Sequence, residues 1–199
     1  MRECSLFWGV SYLTKYLLVC VLLIALSSCA VQQAAYNRAD WQHWIDADGD
    51  CQDTRQEVLI AESIVIPTLQ EGGCRVLEGE WLDHFTGVTF TDPSKLDIDH
   101  LVPLKEAHVS GGHSWTAEQR RQFANDLSDE RSLIAVSAGA NRSKGARDPA
   151  HWLPSNEEYR CAYVSDWIAV KANWHLEIDV EEAAAISAVL EGCASQPVS

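Results

Sequence analysis

Two short segments carry the side-chain types that hydrolysis of a phosphodiester bond requires. The first segment contains Asp99 and His100, and the second contains Asn141 and Lys144. A histidine that titrates near neutral pH can take a proton from water, and a divalent ion held by oxygen ligands can stabilise the departing oxygen. We therefore predict that His100 is a general base and that Asp99 and Asn141 are metal ligands.

The geometry of these segments depends on where their strand and helix begin and end. Neighbouring strand residues point to opposite faces, so Asp99 and His100 can share one site only where a strand ends or bulges. Pro103 favours such an end or bulge just after His100. Asn141 is expected to start a helix, and Lys144, one turn along it, is expected to contact phosphate or to close the helix.

Local patterns predict the elements around the two segments. Thr116 and Gln119 form a capping-box pattern, and aromatic residues after Asn156 recur at helical spacing and are expected to be core. The predicted elements are a helix or helix–strand mixture over 54–66, strands over 87–91, 96–100 and 133–136, and helices from near Thr116, Asn156 and Asp179. This order indicates an α+β domain with short antiparallel strands.

The two segments resemble the HNH endonucleases, whose site is a ββα-metal finger. The similarity lies in an Asp-His-x-x-Pro-Leu motif from Asp99, then a short strand, then Asn-x-x-Lys-Gly from Asn141. Further blocks resemble exported HNH proteins related to the C-terminal domain of GmrSD-type restriction enzymes. These blocks are 79–81, 85–87, 97–100, 124–127, 141–145, 148–149 and 152–154.

This resemblance covers about residues 40–193 and implies a fold and a cofactor. The implied fold is α+β, with the HNH finger embedded in a small helical domain with short antiparallel strands. The implied cofactor is one divalent metal ion, Mg²⁺ in the first place, with Mn²⁺, Ni²⁺ and Zn²⁺ as alternatives.

One residue departs from the family pattern. Ser132 stands where the middle Asn of the HNH triplet usually lies, and that Asn orients the histidine through a loop hydrogen bond. A serine hydroxyl can still form a hydrogen bond. We therefore assign Ser132 to the catalytic group together with His100 and Lys144.

The distribution of charge bears on the substrate. The net charge of −14 opposes the binding of nucleic acid, but residues 120–147 contain six basic and three acidic residues. Within them, Arg121, Arg142 and Arg147 are expected to contact phosphate. A local basic groove of this kind predicts modest, salt-sensitive binding of DNA, with RNA as an alternative.

The first 29 residues have the features of an export signal. Arg2 and Lys15 precede the apolar run 16–26, and the following residues up to Cys29 resemble a bacterial lipobox. We expect Cys29 to be lipidated and to anchor the chain to the cell envelope, at the outer membrane in a diderm bacterium. An ordinary cleaved signal peptide, which would release a secreted protein, and an uncleaved anchor are the alternatives.

The mature chain is then divided into three parts, with four cysteines in the main one. Residues 30–39 are a tether, 40–193 the nuclease domain and 194–199 a tail. An even number of cysteines in an oxidising compartment favours disulfides over a zinc site, which would need closely spaced ligands. Of the three pairings we favour the two local ones, Cys51–Cys74 and Cys161–Cys193.

An acidic loop precedes the first predicted helix. Asp46, Asp48 and Asp50 alternate around Gly49, a pattern that can bind calcium or form a solvated turn held by Cys51. The loop resembles a short Asp-rich calcium motif of extracellular nuclease-associated modules. We find no later glutamate in EF-hand register in this pattern.

Together these observations predict an exported, metal-dependent HNH endonuclease that hydrolyses DNA with low sequence specificity. The alternative is a non-catalytic surface lipoprotein of the same fold that binds calcium or nucleic acid. The membrane is an expected partner through the lipid anchor, and no protein partner is predicted.

Overall fold

The computed structural model describes residues 34–194. These residues contain six α-helices and three antiparallel strand pairs, joined by loops and short 3-10 helices. The strands are β1 (Thr68–Leu69), β2 (Val76–Glu78), β3 (Trp81–Asp83), β4 (Val88–Phe90), β5 (Leu96–His100) and β6 (Leu133–Ser137). The helices are α1 (Thr54–Glu62), α2 (Leu104–Val109), α3 (Ala117–Ala124), α4 (Ala138–Lys144), α5 (Arg160–Asn173) and α6 (Val180–Ala194). The α+β class is confirmed, while the leader and Cys29 lie outside the described residues.

The pair β5–β6 and the helix α4 form a β-β-α unit. The two strands run antiparallel in regular register, from Leu96 opposite Ser137 to His100 opposite Leu133. Helix α4 follows β6 directly and packs against both strands. The Ser137 side chain accepts a hydrogen bond from the Ala140 amide and caps this helix, and Gly145 ends it with a φ of 59°.

Two clusters of apolar side chains bury the faces of this unit. One contains Val58, Leu59, Val76, Trp81, Leu96, Ile98, Leu133 and Ala135. The other collects the aromatic and aliphatic residues of the helices, with Phe85, Phe123, Tyr163 and Trp167 among its members. The expectation that the aromatic residues of α5 are core is confirmed for Tyr163 and Trp167, which are both fully buried.

Two expected helix boundaries can be compared with the structure. The capping box of Thr116 and Gln119 is confirmed at the start of α3. By contrast, α1 ends at Glu62, earlier than the expected 66, because the chain becomes extended at Ser63 and the amide of Ile64 donates to the carbonyl of Glu80.

The C-terminal helix is fixed to its neighbours by buried charges and by a disulfide. Lys171 of α5 donates to Glu106 of α2 at 2.8 Å and to Glu182 of α6 at 2.7 Å, and all three side chains are buried. Disulfides join Cys161 to Cys193 and Cys51 to Cys74, the pairing that the sequence favours. The first of these connects α5 to α6 covalently.

We predict that Glu62 makes folding stability depend on pH. Its carboxylate accepts a hydrogen bond from the amide of Ala135 at 2.8 Å, and burial raises its pKa to about 7. Because the pKa is higher in the folded than in the unfolded chain, this contribution is fully present below about pH 4.5 and is lost as pH rises toward 7. The loss should be about 3 kcal/mol at most.

Urea denaturation between pH 4.5 and 8 tests this prediction. Glu62→Gln should flatten the pH dependence, because its amide oxygen can still accept from Ala135 but cannot ionise. Glu71→Gln, at an exposed position, is the matched control and should keep the wild-type slope. Equal slopes for wild type and Glu62→Gln would contradict the assignment.

Candidate active site

Two side-chain contacts connect β5 to α4. Asn141 Nδ2 donates to Asp97 Oδ2 at 3.2 Å, and Lys144 Nζ donates to Asp99 Oδ2 at 2.6 Å. Residues two apart on a strand share a face, as do residues three apart on a helix. The spacing of the two sequence segments therefore produces two matched pairs.

Lys144 forms a buried ion pair. Its side chain is 0% exposed and that of Asp99 is 4% exposed, and Nζ also donates to the carbonyl of His100 at 2.9 Å. Burial raises the pKa of Asp99 and lowers the pKa of Lys144, while their mutual attraction opposes both shifts. In this position Lys144 does not reach the surface where a phosphate would bind, but as the last residue of α4 it does close the helix.

His100 is held as a neutral imidazole. Its Nε2 lies 3.0 Å from the carbonyl oxygen of Ala124, and because a carbonyl can only accept, Nε2 carries the proton and Nδ1 is the basic atom. Burial above all, together with the charges of His43, Arg38 and Lys144, lowers the pKa of His100 to about 3. The ring is therefore unprotonated at neutral pH, as a general base must be.

The expected end of the strand at His100 is confirmed, but the expected convergence of Asp99 and His100 on one face is wrong, and so is the expected start of the following helix. β5 ends at His100, as expected, but its pairing with β6 is regular to that residue, so Asp99 and His100 point to opposite faces. Asp99 contacts α4, and His100 contacts the carbonyl of Ala124. Asn141 is the fourth residue of α4, because Ser137 caps the helix three residues earlier than expected.

Ser132 acts on His100 only through the loop between α3 and β6. Its hydroxyl donates to Asp126 Oδ2 at 2.9 Å, and its carbonyl accepts from the amide of Leu101 at 3.1 Å. Asp126 lies two residues after Ala124, whose carbonyl holds the histidine. Ser132 thus fixes the loop that orients His100 and makes no hydrogen bond of its own to the ring within the described residues.

An open cleft of about 400 Å³ lies beside the β5–α4 contacts. It is lined by Arg38, Trp44, Arg55, Ser94, Leu96, Asp97, Ile98 and Asn141. The oxygen atoms of Asp97 and Asn141 are the ligand type that hard divalent cations prefer, and the two guanidinium groups are suited to phosphate. A larger depression of about 640 Å³, around Ile66 and Leu77, contains none of the predicted site residues.

The three arginines expected to contact phosphate do not line this cleft. Arg121 is paired with Glu118 at 2.7 Å, Arg147 donates to the carbonyl of Lys144 at 3.1 Å, and Arg142 is exposed on α4.

The cleft instead contains residues that sequence reasoning did not assign. Asp97 could have been predicted from the sequence, because it lies two residues before Asp99 on the same strand and therefore on the same face. Arg38, Trp44 and Arg55 lie far from both motifs along the chain, and no sequence signal marks them.

The acidic loop brings its carboxylates together. Oxygen atoms of Asp46, Asp48 and Asp50 lie within 4.8 Å of one another, and all three residues are exposed. The interpretation that no glutamate stands in EF-hand register is wrong, because Glu57 occupies position 12 when Asp46 is counted as position 1. Cys51, at the position that an EF-hand reserves for glycine, has a left-handed φ of 77°.

The described residues thus define an α+β protein in which a β-β-α unit carries a neutral histidine, two aspartates, an asparagine and a lysine. Residues 53–189 match the family described as the C-terminal domain of the GmrSD restriction endonucleases, and the chain belongs to this family. The relation suspected from the sequence is confirmed.

The chain is also similar to a protein that is named as secreted. A protein of Arthroderma benhamiae named "Uncharacterized secreted protein" is 39% identical over 161 residues, which cover 81% of this chain and 77% of the relative. No solved structure is significantly similar. Within residues 34–194 no helix has both the length and the apolar character needed to cross a membrane.

We predict that breaking the Lys144–Asp99 pair by removing one partner destabilises the fold. Lys144→Met should lower the free energy of unfolding by about 3–5 kcal/mol, because it leaves an unpaired carboxylate in the core. The double variant Lys144→Met/Asp99→Leu should be less destabilised than the single one, since no buried charge remains. Arg142→Met, on the exposed face of the same helix, should change little in a urea titration. A single variant as stable as wild type would refute this role.

Proposed function

We propose that this protein is an exported, metal-dependent HNH endonuclease that hydrolyses phosphodiester bonds of DNA with low sequence specificity. The observation that carries the proposal is His100, a neutral imidazole whose Nε2 is fixed by Ala124 and whose Nδ1 is left as the basic atom. Membership of a family described by restriction endonucleases supports a nuclease, and the β-β-α unit supports the finer HNH assignment.

His100 and Lys144 have different roles in the proposed hydrolysis. Nδ1 of His100 takes the proton of the attacking water. The backbone around His100 is fixed by Lys144, which binds its carbonyl. We propose that the phosphate lies at the end of β5, where both faces of the strand can be reached, and that a divalent ion held on the α4 side would supply charge stabilisation for it and for the leaving oxygen.

The metal ligands that we propose are Asn141 and Asp99, to which the cleft adds Asp97. Asn141 donates its amide nitrogen to Asp97, which leaves its carbonyl oxygen for a cation. Asp99 has one oxygen on Lys144, so only its other oxygen is available. A donor set of oxygen atoms alone suits Mg²⁺ or Mn²⁺ better than Ni²⁺ or Zn²⁺.

The phosphate backbone would be bound by arginines. Arg38 and Arg55 line the cleft beside Asp97 and Asn141, and the exposed Arg142 lies next to Asn141 on α4. We also propose that Arg121 and Arg147 contact phosphates of the nucleic acid further from the cleft. Because binding depends on few basic side chains in an acidic protein, it should be weak and salt-sensitive. DNA is the proposed substrate, with RNA as the alternative.

A plasmid-nicking assay tests the enzyme. Residues 30–199 with Mg²⁺ or Mn²⁺ should nick supercoiled DNA, and EDTA should abolish the reaction. His100→Ala should lower the rate about 10²–10⁴-fold, the range for loss of a general base. His151→Ala, at an exposed histidine paired with Asp148, is the matched control and should remain active. If the folded wild type cleaves neither DNA nor RNA with several metals, the nuclease proposal is refuted. That result would favour the alternative, a non-catalytic protein of the same fold that binds calcium or nucleic acid.

We further propose that the acidic loop binds calcium through Asp46, Asp48, Asp50 and Glu57. The specific observation is that Oε2 of Glu57 is buried and has no hydrogen-bond partner within the described residues. Burial raises the pKa of Glu57, and the charges of Asp48, Asp50 and Asp46 raise it further. A calcium ion would compensate this concentration of negative charge.

Thermal unfolding with and without Ca²⁺ tests the loop. At a Ca²⁺ concentration about 100 times Kd, binding should stabilise the wild type by about 2.7 kcal/mol and raise its Tm. Glu57→Gln should lose most of this shift, whereas Glu71→Gln, at an exposed glutamate outside the loop, should keep it. An unchanged shift in Glu57→Gln would remove this residue from the site.

Export and anchoring complete the proposed function. Two disulfides fit an oxidising compartment, and the similar protein of Arthroderma benhamiae is named as secreted. We propose lipidation of Cys29 and attachment to the cell envelope as the finer localisation.

A further inference from the structure

A segment outside the matched family region packs against His100. The indole of Trp44 lies nearly parallel to the His100 ring, with 5.5 Å between centroids and an interplanar angle of 26°. The match to the family begins at residue 53, so Trp44 precedes it. Trp44 also lines the cleft together with Asp97 and Asn141. One side chain therefore touches both the proposed general base and the space in which the substrate would bind.

The backbone at Trp44 is held in an unfavourable conformation. Its φ of 57° is left-handed, which costs an L-amino acid about 1–2 kcal/mol. A conformation of this kind persists only where the surrounding contacts fix it. The position of the indole is therefore determined by tertiary contacts and not by local preference.

Asn125 supplies those contacts. Its side chain accepts from the amide of Ile45 at 3.2 Å and from Thr54 Oγ1 at 2.9 Å, and donates to the carbonyl of Gln42 at 2.8 Å. Asn125 directly follows Ala124, whose carbonyl binds His100. Two of the groups around the imidazole, the carbonyl of Ala124 and the indole of Trp44, are thus tied to each other through one asparagine, while Phe123 stacks on the ring at 6.5 Å and His43 lies edge-on at 6.2 Å.

The two contacts restrict different motions of the ring. The hydrogen bond to Ala124 fixes the position of Nε2. It still allows the plane of the imidazole to turn about this hydrogen bond, and such a turn would move Nδ1. A flat aromatic surface against the ring opposes this rotation. Ser132 makes no hydrogen bond to the ring within the described residues, and Phe123, which also stacks on the ring, belongs to the core. Trp44 is the stacked side chain that lines the cleft, and it is therefore placed to supply the orientation that the family's middle Asn usually provides.

We propose that Trp44 is a positioning residue that fixes the orientation of the His100 imidazole, so that Nδ1 stays aligned with the attacking water. This inference rests on the proposed nuclease function. Misplacing a catalytic group by about 1 Å can cost about 10²-fold in rate. Loss of the indole should therefore lower kcat and leave substrate binding nearly unchanged.

Steady-state cleavage of an oligonucleotide by the chain 30–199 tests the inference. Trp44→Ala should lower kcat about 10–100-fold with KM within about threefold of wild type, and Trp44→Phe should restore most of the rate. Trp152→Ala is the matched control, because this partly buried indole packs on Phe85 and not on His100. It should lose stability without a comparable loss of kcat.

The outcomes separate the two proposals. A wild type that cleaves, with a Trp44→Ala variant of unchanged kcat, overturns the positioning role and leaves the nuclease intact. A raised KM at unchanged kcat shows that Trp44 binds substrate instead. If wild type does not cleave, the nuclease fails and the positioning role with it. NMR spectra of the His100 imidazole should shift in Trp44→Ala and not in Trp152→Ala, and equal spectra overturn ring positioning in any case.

Discussion

The site depends on one buried ion pair. Asp99 and Lys144 meet in the interior, where either charge alone would be strongly unfavourable, so β5 and α4 can pack only with both side chains in register. The pair brings Asn141 opposite Asp97 one helical turn away, and Lys144 also binds the carbonyl of His100. The ammonium group of Lys144 thereby fixes the spacing between β5 and α4 and the backbone of His100. Through that spacing it also positions Asp97 and Asn141, which line one wall of the cleft.

Local signals in the sequence were enough to predict much of the fold. Strand alternation located β5, the Thr116–Gln119 pattern located the start of α3, and local loop closure favoured the two disulfides that the structure contains. Spacing also brought Asn141 and Lys144 to one helix. Each of these features depends on residues close together in the chain.

Long-range contacts were not predictable in the same way. Charged side chains are almost never fully buried, so nothing in the sequence indicated that Lys144 would be inside and not at the phosphate. The contact of Trp44 with His100 spans 56 positions and depends on a left-handed backbone that residue type does not favour. The register of Glu57, in contrast, could have been counted directly from Asp46.

If the chain is exported as proposed, the disulfide and the ion pair that join α5 to α6 have a consequence for its survival outside a cell. Secreted proteins meet proteases, which cut exposed loops such as the one between these two helices. Because Cys161 and Cys193 are joined across this loop, a single cut there would leave the last helix covalently attached. Lys171 and Glu182, one on each helix, would still hold the fragments together in the interior. A nicked chain would therefore retain the same core as an intact one.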